Sequence, residues 1–123
     1  MHHFKLWVLL LIQSHAVYST FRCSDLSKEN KTKDHGVCVR KVVDNDWLNT
    51  EVNDFDLTVG FLRLDANAKG GDLFTCDGLK IAEERITTRY CCDLVKDIHI
   101  RPITQGDLNL HCYTRDAKKA RPR

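Results

Sequence analysis

The sequence predicts a mainly β domain, a small disulfide-stapled barrel or sandwich with room for one short helix. Three observations carry that expectation. Short apolar and β-branched runs are broken at close intervals by polar turns, a pattern of sandwiches and barrels and not of helical bundles. Six cysteines occur in 123 residues, all of them after residue 20. Finally, one cysteine phrase is repeated: Phe21-Arg22-Cys23-Ser24-Asp25-Leu26 returns as Phe74-Thr75-Cys76-Asp77-Gly78-Leu79, and each copy meets its next cysteine fifteen positions on, at Cys38 and Cys91. Two related halves in a six-cysteine chain imply a covalently stapled pseudo-symmetry.

Taken in order, the first segment reads as a secretory leader. Lys5 gives a positive start, Leu6 to Ile12 form an apolar run, Gln13 and Ser14 end it, and small residues place cleavage after Ala16 or after Ser19. The run falls short of the roughly 20 apolar residues that span a bilayer, so no membrane span is expected. Residues 1–19 are thus read as a signal peptide, 20–116 as a disulfide-rich domain, and 117–123 as a basic tail carrying Lys118, Lys119, Arg121 and Arg123.

Within the domain, Ser27 to His35 is polar without apolar period and reads as a loop. Gly36 to Val43 is β-branched and reads as a strand. Asp44 to Asp54 reads as a loop or one helical turn capped by Asp44 or Asn45. Phe55, Leu57, Val59 and Phe61 alternate with Asp56, Thr58 and Gly60, which predicts the clearest strand of the chain. Asp65 to Asp72, with Gly70-Gly71, is a turn, and Asp72 to Cys76 begins another strand. Leu79 to Ile86 has helix-compatible residues but is too short to stand without tertiary support. Ile86 to Val95 and Ile98 to Ile103 read as strands, Pro102 setting the second near an edge, and Leu108 to Thr114 closes the fold with Cys112.

Composition narrows the chemistry. The chain has 19 Lys+Arg against 17 Asp+Glu. The leader holds only Lys5 among these, so the remainder is close to neutral and carries no nucleic-acid signature. An even cysteine count after a leader reads as three disulfides. Zinc is not expected, because Cys-x-x-Cys is absent and adjacent Cys91-Cys92 do not easily serve one tetrahedral ion; no cofactor is expected either. Asn30-Lys31-Thr32 is a sequon in the first polar loop, making Asn30 a glycosylation candidate. Asp44, Asp46, Glu51, Asp54 and Asp56 form an acidic stretch without EF-hand spacing, read as a solvated face.

His99 and His111, with Glu83, Glu84 or Arg85, are the residue types that a small secreted ribonuclease uses as acid, base and phosphate clamp. No ribonuclease motif surrounds them, and His99 is expected on the solvent face of a strand. No catalytic residue is assigned on the favoured reading. Trp47 and Phe55 flank the acidic segment and are expected in the core, with an exposed contact point as the alternative. Arg63 or Lys69, ahead of the double glycine, are candidates for an inhibitor loop.

The order Cys76, Cys91-Cys92, Cys112 resembles one half of the fungal hydrophobins, small secreted proteins with two such halves. Carried onto this chain, the family's bonding implies Cys23–Cys91, Cys38–Cys76 and Cys92–Cys112, in a hydrophobin-like pseudo-two-fold arrangement. The first doublet is reduced here to Cys38, the spacings are longer, and the chain is 29% charged, unlike a protein that works through a large apolar patch. The Phe-x-Cys…Cys-Cys phrasing is also similar to the small cysteine-rich secreted proteins of plant-infecting fungi, many of them candidate effectors. These resemblances imply a monomeric, non-catalytic extracellular protein that binds a host protein or glycan. The alternatives are the small ribonuclease and a surface-active coat protein.

Overall fold

The structure is a computed structural model and describes residues 20–115. The segment read as a leader, 1–19, and the basic tail, 117–123, lie outside the described residues. Ten strands form three antiparallel sheets: β1 Thr20–Arg22, β2 His35–Lys41, β3 Gly60–Asp65, β4 Asn67–Ala68, β5 Leu73–Thr75, β6 Lys80–Ile81, β7 Glu84–Arg85, β8 Thr88–Cys92, β9 Arg101–Thr104 and β10 Cys112–Thr114. A five-stranded sheet in the order β10-β8-β2-β3-β9 is accompanied by a three-stranded sheet β1-β5-β4 and the hairpin β6-β7. Among the described residues the fold is mainly β with one α-helix, α1, over Gln105–His111.

β2 is buried along nearly its whole length because both of its faces are covered. Val37 and Val39 point to one side, where they pack with Cys92, Ile103, Leu108 of α1 and Cys112. Cys38 points to the other side and joins Phe21, Cys23, Phe74, Cys76 and Cys91. Farther along that second side, Leu62 packs with Val52, Leu57, Ile81 and Ala82. Strand alternation places successive side chains on opposite faces, which is why a nearly continuous buried run fits a central strand covered twice.

Three disulfides, Cys23–Cys91, Cys38–Cys76 and Cys92–Cys112, bond all the cysteines, with Cα separations of 5.4, 5.8 and 4.1 Å. These are the three pairs that the hydrophobin resemblance implies. The repeat has a structural counterpart. β1 pairs with β5 so that Phe21 faces Phe74, and β2 pairs with β8 so that Val37 faces Tyr90. Both facing pairs are 53 positions apart in the chain, as are Cys23 and Cys76, and Cys38 and Cys91. A pseudo-two-fold relation therefore centres both ladders and exchanges the first two disulfides. The third breaks it, since the position matching Cys92 is Val39. Cys92 and Cys112 are direct cross-strand neighbours, flanked by the Asp93 N–H donating to His111 O at 3.0 Å. That is the close, non-hydrogen-bonded kind of pair, which accounts for the short Cα separation.

Gly36 of β2 lies directly against Phe74 of β5, where the two main sheets meet. A Cβ there would lie 2.5 Å from the Phe74 ring, so only glycine admits the contact.

Several elements differ from the sequence reading. The expected strand from Phe55 is a bend followed by a 3-10 turn, Leu57–Val59, and the strand starts only at Gly60. Asp56 accepts a hydrogen bond from the Thr58 N–H and starts the turn, while Gly60, at φ 100°, ends it; local side-chain capping overrides the alternation. Leu79 to Ile86 is not helical but forms the hairpin β6-β7, turned at Ala82-Glu83 with φ of 50° and 69°. The helix lies instead at 105–111, where the Thr104 hydroxyl accepts from the Asp107 N–H at 3.0 Å. Residues 98–100 are irregular and β9 begins at Arg101; as an edge strand it accommodates Pro102.

Candidate functional site

Among the described residues, Arg40 and Asp46 are the most deeply buried charges, 2% and 1% exposed. Arg40 shares a face of β2 with Cys38, and a cation there needs an internal anion. Asp46 supplies it from a 3-10 turn, Asp44–Leu48. Nη1 donates to Oδ2 at 2.8 Å and Nη2 to Oδ1 at 2.7 Å, a bidentate fork. Nε and Nη2 also donate to Ile81 O at 3.1 and 2.7 Å, and Nη1 donates to Lys41 O at 2.9 Å. All five guanidinium N–H groups are thereby used. Asp46 Oδ2 further accepts the Val43 N–H at 2.8 Å. The Arg40 hydrogen bonds hold the Asp46 carboxyl below the usual carboxylate range against the opposing effect of burial, with help from the Val43 N–H.

This pair overturns two readings made from the sequence. The turn is not capped by Asp44 or Asn45; Val43 is the N-cap and makes no side-chain cap bond. The acidic stretch is not wholly a solvated face, because Asp46 is drawn inward.

With its middle residue turned inward, the turn presents its neighbours outward. Trp47 is 53% exposed, Leu48 82% and Val43 38%. Trp47 is thus not a core residue, whereas Phe55 packs partly buried against Val52, Leu57 and Ile81. Val43 also lines a groove of about 560 Å³, together with Lys41, Phe61, Arg85, Thr88 and Tyr90. An exposed Trp beside an exposed Leu, on a turn fixed from below, has the character of an interface anchor: large contact area with little left to order on binding.

The histidines are placed apart. His99 Nδ1 lies 3.0 Å from Asp97 Oδ1 beside the β9 edge, and His111 Nδ1 lies 2.9 Å from Asp93 Oδ1 at the opposite, β10 edge. Glu83 and Arg85 belong to the β6-β7 hairpin. Among the described residues no hydrogen bond or ion pair joins any two of His99, His111, Glu83 and Arg85. His99 is exposed as expected, but from an irregular segment and beside Ile98, which is exposed too. Asp97 is held far below the usual carboxylate range by the His99 N–H and by Arg101, whose Nε donates to Oδ2 at 2.6 Å. His35, unassigned by sequence, is buried with Nε2 3.0 Å from Asp65 Oδ1, and Asp65 Oδ2 accepts the Asp97 N–H at 2.9 Å.

Asn30 sits in the polar loop, half-buried, its amide donating to Asp25 Oδ2 at 3.0 Å. Arg63 lies within β3, its side chain largely covered; Lys69 alone of the two inhibitor-loop candidates is in a turn. Among the described residues no group of three or more His, Cys, Asp or Glu is arranged to hold a metal ion, and no helix is long and apolar enough to cross a membrane. Leu48 and the Arg40–Asp46 pair were not singled out from sequence. The available signal was Arg40 itself, a cation on a β-branched strand and on the same side as a cysteine. Comparison with protein-family models, curated proteins and solved structures finds no match for this chain.

Proposed function

We propose that this chain is a secreted, non-catalytic binding protein that engages an extracellular partner protein through the Trp47 turn. The observation that carries the reading is the exposure of Trp47 and Leu48 on a turn anchored by the buried Arg40–Asp46 fork. Three disulfides in so small a domain suit an oxidising, protease-rich setting outside the cell. The similarity of the cysteine phrasing to secreted cysteine-rich fungal proteins favours an effector-type role, in which a host component is the partner.

The test is affinity capture from host extracellular fluid, followed by titration of the captured protein against wild type and Trp47→Ala. A hot-spot Trp gives a loss of about 30-fold or more, the ~2 kcal/mol typical of an interface anchor, with an unchanged melting temperature. A partner that binds Trp47→Ala and Leu48→Ala as tightly as wild type removes this turn from the interface. RNA cleavage by the purified protein, abolished in His99→Ala, would replace the binding reading with the enzymatic one.

A further inference from the structure

The β6-β7 hairpin works against its own stability. Lys80 stands directly opposite Arg85 across the strand pair, and like charges in that position repel. Its turn residues, Ala82 and Glu83, both adopt left-handed backbone, where hairpins of this kind favour Asn-Gly or Asp-Gly. Among the described residues neither Lys80 nor Arg85 meets a carboxylate or any other side-chain partner. Both line a crevice of about 370 Å³ between the hairpin and the start of β8. Arg89 adds a third cation, Thr87 and Thr88 add hydroxyls, and Asp77 is the one carboxylate of the lining. Three cations against one anion, two of them unpaired and facing each other, make a local field that an added anion relieves.

We propose that this crevice binds a sulfate ester of a sulfated polysaccharide, the oxyanion held between Lys80 and Arg85. A guanidinium fork matches a tetrahedral oxyanion with two parallel hydrogen bonds, and the Lys80 ammonium adds a mobile point charge. The Thr87 and Thr88 hydroxyls reach Val39 O only at 3.4 Å, leaving them available to a better acceptor. The open crevice is within the size range of small-ligand sites, so it accommodates sugar beside the sulfate. Phosphate has the same oxygen geometry, and the experiment separates the two sources. This site includes neither Trp47 nor Leu48, so it stands or falls independently of the Trp47 turn, although Arg85 and Thr88 also line the groove beside Val43.

The full chain is titrated with a sulfated oligosaccharide, with its desulfated counterpart and with inorganic phosphate. The sulfated probe is expected to bind saturably and to raise the melting temperature, since a ligand that binds only the folded state stabilises it. The desulfated probe and inorganic phosphate should do neither at the same concentration. Lys80→Gln with Arg85→Gln should weaken the sulfated probe about tenfold or more, while the ligand-free variant melts at the same or a higher temperature because the repulsion is gone. If the double variant folds poorly, Lys80→Gln alone carries the test. Lys96→Gln, and Lys118→Gln with Lys119→Gln in the basic tail, none of them part of the proposed oxyanion clamp, should change binding less than about twofold. Equal binding of the desulfated probe overturns the proposal. So does equal competition by inorganic phosphate, or a tail variant that loses as much as the hairpin variant.

Discussion

On the side of the five-stranded sheet that carries Cys38 and Arg40, one end is fixed by Cys38–Cys76 and Cys23–Cys91 and the other by Arg40, Asp46 and Ile81 O. The two ends stabilise by different means. The cystines limit the unfolded chain and leave a compact apolar cluster with Phe21 and Phe74. The ion pair acts in the folded state, where two desolvated charges persist only because every guanidinium N–H finds an acceptor. The covalent end follows the pseudo-two-fold repeat. The polar end departs from it, and there lie the exposed Trp47 and the strained hairpin, while the cationic crevice runs from that hairpin back to Cys76 at the covalent end.

Opening the covalent end has the largest expected effect. Cys23→Ala with Cys91→Ala removes a link spanning 68 positions, and loop entropy alone puts the loss at about 4 kcal/mol. Cys38→Ala with Cys76→Ala, spanning 38 positions, should cost nearly the same, because loop entropy varies only logarithmically with length. Denaturant unfolding of the two double variants measures this. A difference of more than about 2 kcal/mol, beyond what loop length allows, would show that the two exchanged bonds are not energetically equivalent.

Opening the polar end comes next. Asp46→Asn leaves Arg40 buried without its anion and should cost about 3 kcal/mol, the lower part of the range for a broken buried pair, since the amide keeps one acceptor. The same pair sets an acid limb. Asp46 has a folded pKa below its unfolded value, so its contribution is fully present above the unfolded pKa of about 3.9 and is lost as pH falls through the folded value. Wild type should therefore lose stability below about pH 4, and Asp46→Asn should show a shallower acid slope over that window. Identical slopes would mean that the carboxylate is not ionised in its buried site.

The same contrast explains what was legible in the sequence. The cysteine frame was, because the repeat marks Cys23, Cys38, Cys76 and Cys91 and the hydrophobin-like order implied the pairing; β2, β5 and β8 fall on segments read as strands around those cysteines. The polar end was not. Asp46 lies among four other acids, and nothing local distinguishes the one that turns inward; its burial is decided by Arg40 across a turn. Trp47 was expected inside because aromatic burial is the common case, and that preference was reversed by the inward rotation of its neighbour. The Phe55 to Phe61 alternation misled because Asp56 offers the Thr58 N–H a local acceptor, which closes a turn before a strand can pair. Leu79 to Ile86 carries helix formers, yet Ile81 is held in a hairpin where its carbonyl serves Arg40. In each case a polar contact, tertiary for Asp46 and Ile81 and local for Asp56, outweighed a preference of a few tenths of a kcal/mol per residue.

The smallest effect sharpens the comparison from within the polar end. Glu83 is exposed at φ 69° and makes no side-chain bond among the described residues, so its replacement removes backbone strain and one screened surface charge. Left-handed backbone costs an L-residue about 1–2 kcal/mol. Glycine avoids that cost but adds roughly 0.5–1 kcal/mol of unfolded-chain freedom. Glu83→Gly should accordingly stabilise the protein by about 0.5 kcal/mol net, the difference of those two ranges, read as a small rise in the denaturant midpoint at constant slope. The disulfide end should be unaffected, so the gain should persist in the Cys38→Ala, Cys76→Ala background within the additivity of distant sites. Destabilisation instead would mean that the glutamate side chain itself holds the hairpin, and the turn would then have to be counted among the supports of the polar end and not among its strains.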